Sequence, residues 1–217
     1  QRCGITTLNR PADTYGLRLI LGGCEVTMWD LAGVYASMAR SLNHQAKNHG
    51  KFDPDDFHPP KYSKSVPGLA GLQRSTTNNQ RSTINDQPTS NISLDPTSIW
   101  FTFLAMQEVM RPGEEGLWQQ FSSSQTIAWK TGTSFGFRDG WAIGVTPKNV
   151  VAVWVGNTDG EGRPGLIGVH TAAPILFDIF RLLSTVPFFQ KPIYNYSSVP
   201  VCRQSGYRAN IDCPDVD

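Results

Sequence analysis

Hydrophobic and polar positions along the chain change period several times, and each change predicts an element. Leu17-Arg18-Leu19-Ile20-Leu21 is a short apolar stretch stopped by Gly22-Gly23. Thr27-Met28-Trp29-Asp30 then reads as a capping box, with Thr27 and Asp30 satisfying the free donors of a helix start. Leu31, Val34, Tyr35, Met38 and Leu42 follow at helical spacing, which predicts an amphipathic helix over 28–42. Beyond it the chain turns polar from His44 to Leu94. The part from Gln73 to Ser93 has almost nothing to bury against its ordering entropy and reads as a long mobile loop. Asp95-Pro96 is the start signal of a second helix, with Ile99, Phe103, Met106 and Met110 on its apolar face and Pro112-Gly113 as its stop.

In the last third the period becomes that of strands. Ile127 to Thr133, Trp141 to Thr146 and Val150 to Gly156 are short β-branched or aromatic runs. Gly136, Arg138-Asp139-Gly140 and Pro147-Lys148-Asn149 lie between them, so sequential antiparallel pairing is expected. After a Gly-rich loop, Thr171 is expected to cap a third helix with Pro174 in its first turn. Its buried side would carry Ile175, Leu176, Ile179, Phe180 and Leu183. The predicted class is α+β, an antiparallel sheet with helices packed on one face. After Pro187 the composition shifts to Pro, Tyr and Ser. Residues 1–187 are therefore expected to form one domain portion, and 188–217 a linker and the start of another small domain.

Composition narrows the function classes. Of 217 residues, 39% are hydrophobic, which is enough for a core and excludes wholesale disorder. Nineteen Lys and Arg against 18 Asp and Glu leave no basic excess for nucleic acid. The run Val150 to Val155 is far too short to span a bilayer. The opening Gln1-Arg2-Cys3-Gly4 has no Met and no leader pattern, so a fragment of a longer chain is expected. None of Cys3, Cys24, Cys202 and Cys213 forms C-x-x-C or sits at zinc-ligand spacing from a His. Cys202 and Cys213 close a short loop, and both a disulfide and two unpaired thiols fit that spacing.

The motif that carries chemistry is Lys130-Thr131-Gly132-Thr133-Ser134, on the first strand of the meander. Lys130 would attract a carboxylate and hold neighbouring hydroxyls. Gly132 would let another backbone come close. Thr131 and Thr133 hydroxyls would donate to a substrate carboxylate, with the Thr133 N–H aimed at an oxyanion. An ordinary strand with an exposed Lys is the plain alternative.

The wider run from Trp129 through Phe135-Gly136-Phe137-Arg138-Asp139-Gly140-Trp141-Ala142-Ile143-Gly144 resembles the KTG segment of bifunctional penicillin-binding proteins, those of the 1C class in particular. Ile20-Leu21-Gly22-Gly23-Cys24-Glu25-Val26-Thr27 resembles the segment those proteins carry upstream of KTG, and Val201-Cys202-Arg203-Gln204-Ser205-Gly206-Tyr207 the entry to their small following domain. The resemblance implies the C-terminal part of a D,D-transpeptidase domain of the penicillin-binding and β-lactamase fold. Lys130 would be catalytic, and Thr131, Gly132, Thr133 and Ser134 would bind substrate. Peptidoglycan stem peptides ending in D-Ala-D-Ala and β-lactams would be its ligands in the intact domain. No metal or organic cofactor is implied. A glycosyltransferase domain and a membrane anchor would lie upstream, at the periplasmic face of the inner membrane. In that oxidising compartment Cys202 and Cys213 are expected to be bonded.

The chain departs from the family pattern in one respect. No Lys has a Ser three residues before it, so the Ser-x-x-Lys nucleophile is absent. Ser41-Leu42-Asn43 matches Ser-x-Asn literally but falls after the Leu-Gly-Gly segment rather than before it, and reads as a helix-terminal coincidence. Two alternatives stand beside the transpeptidase: a non-catalytic envelope module binding peptide or glycan, and a β-lactamase-related acylase. Asp53, Asp55, Asp56 and His58 form a carboxylate-rich stretch that suits either a cation or a solvated loop, and His44 and His49 do not share a helix face. Trp118, Trp129, Trp141 and Trp154 read as core, with Trp129 the candidate cleft wall.

Overall fold

The computed structural model describes residues 4–20, 22–51, 53–61, 94–109, 125–194 and 197–215. The polar loop, Met110, Pro112-Gly113, Trp118 and Cys3 lie outside them. The helices are α1 (Ala12–Tyr15), α2 (Met28–Lys47), α3 (Pro96–Gln107) and α4 (Gly168–Leu182). The strands are β1 (Ala128–Thr133), β2 (Asp139–Val145) and β3 (Val150–Gly156), antiparallel in the order β1-β2-β3. No described helix is long and apolar enough to cross a membrane. The α+β class and the sequential meander hold.

The layering differs from the expectation of helices on one face. Ile127, Trp129, Ala142, Val151 and Val153 pack against Ala172, Ala173, Leu176, Phe177 and Phe180 of α4. Ala128 and Val145 pack through the opposite face against Leu42 of α2 and Ile99, Phe103 and Met106 of α3. The reason is written in β2 and β3, whose runs Trp141-Ala142-Ile143-Gly144-Val145 and Val150 to Val155 are apolar at successive positions. Strands of that kind are covered on both sides. Phe189 completes the second cluster, its ring 5.2 Å from that of Phe103. Core packing therefore continues past Pro187, where the composition shifts.

Helix starts were legible where the cap is local. Thr27 Oγ1 accepts from the Asp30 N–H at 3.0 Å, and Asp95 accepts from the Ser98 N–H at 2.9 Å. Asp30 itself serves a tertiary contact, accepting from the Thr6 N–H (2.8 Å) and hydroxyl (2.6 Å). The third helix starts three residues before Thr171, at Gly168, and its cap is non-local: Thr133 Oγ1 on β1 accepts from the Gly168 N–H at 3.0 Å. Thr171 sits in the first turn and donates back to the Ile167 carbonyl, and Pro174 lies inside the helix. Ile175 is exposed, while Ala172, Ala173 and Phe177 join Leu176 and Phe180 as the buried stripe.

The buried residues of α2 are largely polar or small: Asp30, Gly33, Ser37, Ala39, Ser41, Leu42 and Gln45. Leu31, Val34, Tyr35 and Met38 of the expected apolar face are half-buried. The segment over residues 53–60 accounts for part of this. Arg40 Nε donates to the Asp56 carbonyl at 2.9 Å, and its Nη2 to the His58 carbonyl at 3.3 Å. Pro60 lies so close that a Cβ on Gly33 would meet its Cδ at 2.7 Å.

Candidate functional site

β1 is an outer strand among the described residues, and it borders a cleft of about 550 Å³. The register explains the floor. Lys130 pairs with Ile143 and Gly132 with Trp141, so these four side-chain positions share the face turned toward α2. Leu31 and Tyr35 of α2 form one wall, and Gly22-Gly23-Cys24-Glu25-Val26 another. Burial raises the Tyr35 phenol above its ordinary value, so it stays a neutral donor at physiological pH.

The motif residues come together at this cleft, each with a distinct surrounding. Lys130 is exposed and its Nζ donates to the Thr131 carbonyl at 2.5 Å. Thr131, Gly132, Thr133 and Ser134 all line the cleft. Thr133 Oγ1 accepts from the α4 N-terminus, which leaves its own O–H free to donate elsewhere. Ser134 closes the β1–β2 hairpin: its hydroxyl accepts from the Asp139 N–H at 2.8 Å, and its N–H donates to the Asp139 carbonyl at 3.0 Å.

The close backbone approach expected at Gly132 occurs elsewhere. A Cβ on Gly132 would meet only the Trp141 Cβ, at an ordinary 3.7 Å. A Cβ on Gly168 would stand 2.4 Å from the Gly132 carbonyl oxygen and 2.6 Å from that of Trp141. The glycine that lets α4 dock on the motif strand is therefore Gly168.

Trp129 is not a cleft wall. It is fully buried, edge-on to Phe177 at 4.9 Å, with Nε1 donating to the Val109 carbonyl at 3.1 Å. Its alternation with Lys130 puts it on the α4 side, and Trp141 takes the cleft position instead. Trp154 donates from Nε1 to Asp139 Oδ1 at 2.8 Å and braces the hairpin. Cys24, Glu25 and Trp141 lie in the segments that carry the resemblance, but their place at the cleft, like that of Tyr35, was not readable because only tertiary packing brings α2 and the Gly-Gly segment to β1.

The remaining candidates separate from the cleft. Ser41 is buried, and Asn43 donates from Nδ2 to the Pro147 carbonyl at 2.8 Å, pinning the β2–β3 turn. Neither lines the cleft. Cys202 and Cys213, expected to be bonded, stand as free thiols, and the Cys213 thiol donates to the Asp215 carbonyl at 3.1 Å. The tail brings them together through the Val201–Arg208 bridge, with the Cys202 N–H donating to the Tyr207 carbonyl at 2.8 Å. The neighbouring Cys213 thiol, aided by Ser205, lowers the Cys202 thiol to about 7. Burial raises that of Cys213.

No family profile matches the chain, and no solved structure matches it. Curated relatives do. The chain is 28% identical over 167 residues to penicillin-binding protein 1C of Escherichia coli, covering 77% of this chain and 17% of that protein. It is 31% identical over 83 residues to penicillin-binding protein 1B of Vibrio cholerae, 36% of this chain and 11% of the other. Against penicillin-binding protein 1B of Haemophilus influenzae it is 35% identical over 77 residues, 36% of this chain and 10% of the other. The resemblance to penicillin-binding proteins, those of the 1C class in particular, carried by the motif segments thus stands. The chain spans about a sixth or less of the length of each.

Proposed function

We propose that this chain is the carboxylate-recognition part of a serine-type D,D-transpeptidase domain of the penicillin-binding and β-lactamase fold, acting in cell-wall cross-linking. The observation that carries the proposal is the outer strand β1, with Lys130, Thr131, Gly132 and Thr133 presented along one open cleft. An extended D-Ala-D-Ala stem peptide would lie against that edge as an added strand. Its terminal carboxylate would meet the Lys130 ammonium and the Thr131 and Thr133 hydroxyls. The Thr133 N–H would serve the oxyanion of the acyl-transfer step. A β-lactam would occupy the same place.

The nucleophile belongs to residues outside this chain. In the intact domain a Ser-x-x-Lys serine would attack the stem-peptide carbonyl, release D-Ala and pass the acyl group to a neighbouring amine. The small share of the relatives' length supports reading the chain as part of a larger protein. That protein would carry a glycosyltransferase domain and a membrane anchor at the periplasmic face of the inner membrane.

Gel fluorescence with a fluorescent penicillin tests the reading. The longer protein should be labelled and this chain alone should not, since covalent capture needs the activated serine. Lys130→Ala in the longer protein should abolish most labelling. A fully reactive Lys130→Ala protein would overturn the role given to the motif, and a labelled isolated chain would reveal another nucleophile.

A further inference from the structure

We propose that His44, Asp53 and Asp56 form a binding site for a borderline divalent metal ion of the zinc type, on the side of α2 covered by the 53–60 segment. The proposal is independent of the transpeptidase reading, since none of the three residues lines the β1 cleft. One ligand atom from each lies within 4.8 Å of the other two. His44 Nδ1 stands 2.5 Å from Asp56 Oδ1 and 3.6 Å from Asp53 Oδ2.

Local structure aims each group. Pro54–Asp56 is a single 3-10 turn whose N-cap is Asp53. Asp53 Oδ1 accepts from the Asp55 N–H at 2.9 Å, which fixes the carboxylate and leaves Oδ2 turned to His44. Arg40 holds the Asp56 backbone through its carbonyl. The guanidinium thus anchors the turn without a hydrogen bond to the carboxylate. His44 comes from the last turn of α2 and is half-buried, as is Asp53, so the site has a solvent side for entry and for a water ligand.

A His–Asp pair alone does not account for the arrangement. Asp56 is 1% exposed, and its Oδ2 has no hydrogen-bond partner among the described residues. A carboxylate oxygen taken out of water without a donor is costly, and the nearby Arg40 guanidinium makes no hydrogen bond to it. A divalent ion between the three groups supplies the missing partner. Zinc bonds to imidazole nitrogen and carboxylate oxygen run at about 2.0–2.2 Å, which sets tetrahedral ligand–ligand edges of roughly 3.3–3.6 Å. The Asp53 contact already has that length. The Asp56 contact, at 2.5 Å, would need to open by about 0.8 Å to reach the short end of that range. An imidazole with two carboxylates favours zinc or a neighbouring transition ion over Ca²⁺, which takes six or more oxygens.

The sequence placed the candidate cation stretch at Asp53, Asp55, Asp56 and His58. The fold replaces His58, whose Nδ1 faces the Pro59 carbonyl at 2.7 Å, with His44 from the preceding helix.

The test is titration of the tag-free full chain with ZnCl₂ by calorimetry, with CoCl₂ visible absorption as the ligand readout. One saturable Zn²⁺ per chain is expected, with a cobalt spectrum that lacks thiolate-to-metal charge transfer. Asp56→Asn risks the fold because the residue is buried, so the half-exposed ligands carry the comparison. His44→Gln and Asp53→Asn, each checked for native circular dichroism, should weaken Zn²⁺ binding at least about tenfold. Unchanged affinity in either variant, a thiolate charge-transfer band, Ca²⁺ binding in preference to Zn²⁺, or no saturable binding would overturn the site.

Discussion

Thr133 illustrates how one side chain serves two demands. Its oxygen caps α4 by accepting from the Gly168 N–H, while its proton remains available at the cleft. Thr133→Val removes both functions at nearly constant volume. The lost cap should cost about 0.5–2 kcal/mol in urea unfolding of this chain. On the transpeptidase reading proposed above, the lost donor should also slow penicillin acylation of the intact domain by roughly 10²–10³. Thr133→Ser should restore both. A Val variant as stable as the parent would show that the Gly168 contact is not a cap. Asp30 makes a second residue-level case. Its hydrogen bonds from Thr6 hold its carboxyl below the ordinary 3.8, against the opposing effect of burial. A depressed folded value means stability that is present above the unfolded value and lost as pH falls through the folded one. A carboxyl-carbon NMR titration should find the midpoint below 3.8. Asp30→Asn should remove part of the fall in urea midpoint below about pH 4. Identical acid limbs in the two proteins would sink the tether.

At the scale of elements, the docking of α4 on β1 and β2 turns on a glycine that composition does not mark. Gly168→Ala would drive a Cβ against the Gly132 and Trp141 carbonyl oxygens, and backbone atoms cannot rotate away. The helix must shift, at a cost typical of overpacking, about 1–3 kcal/mol. Gly132→Ala meets only an ordinary contact with Trp141, so it should unfold near the parental midpoint. Comparing the two melts checks this, and the reverse ranking would show that the close approach belongs to the motif glycine. The same contrast explains what was legible in the sequence. The three strands and the starts of α2 and α3 follow from β-branched runs and from caps made within three residues. The start of α4 did not, because its cap comes from a strand 35 residues upstream. The two-sided burial of the sheet was written in the unbroken apolar runs of β2 and β3. The polar buried residues of α2 were not readable, since they depend on where the 53–60 segment lies.

At the scale of the whole molecule, the tail beyond residue 197 is folded back on itself by backbone hydrogen bonds such as Arg203 N–H to the Asp215 carbonyl at 3.0 Å, and its cysteines bear on how firmly it holds. The Cys202 N–H, the Gly206 N–H to the Cys202 carbonyl at 2.7 Å, and the Val201–Arg208 bridge define a small closed turn. Cys213 lies near enough within it to lower the Cys202 thiol. A thiol lowered to about 7 is substantially thiolate at neutral pH, where an ordinary one at 9.0 is not. We therefore predict that diamide near neutral pH bonds the two sulfurs, taking up their two electrons and two protons. Peptide mass mapping without reductant should recover Cys202 joined to Cys213. Closing a loop of this length constrains the unfolded tail by on the order of 3 kcal/mol in the chain-entropy account. Amide exchange at Cys202 and Gly206 should slow accordingly after oxidation. The thiolate requirement gives the pH sense: disulfide formation should fall off as pH drops below about 7. Two free thiols after diamide treatment, or a bond from either cysteine to Cys24 instead, would show that the tail does not hold the pair as described.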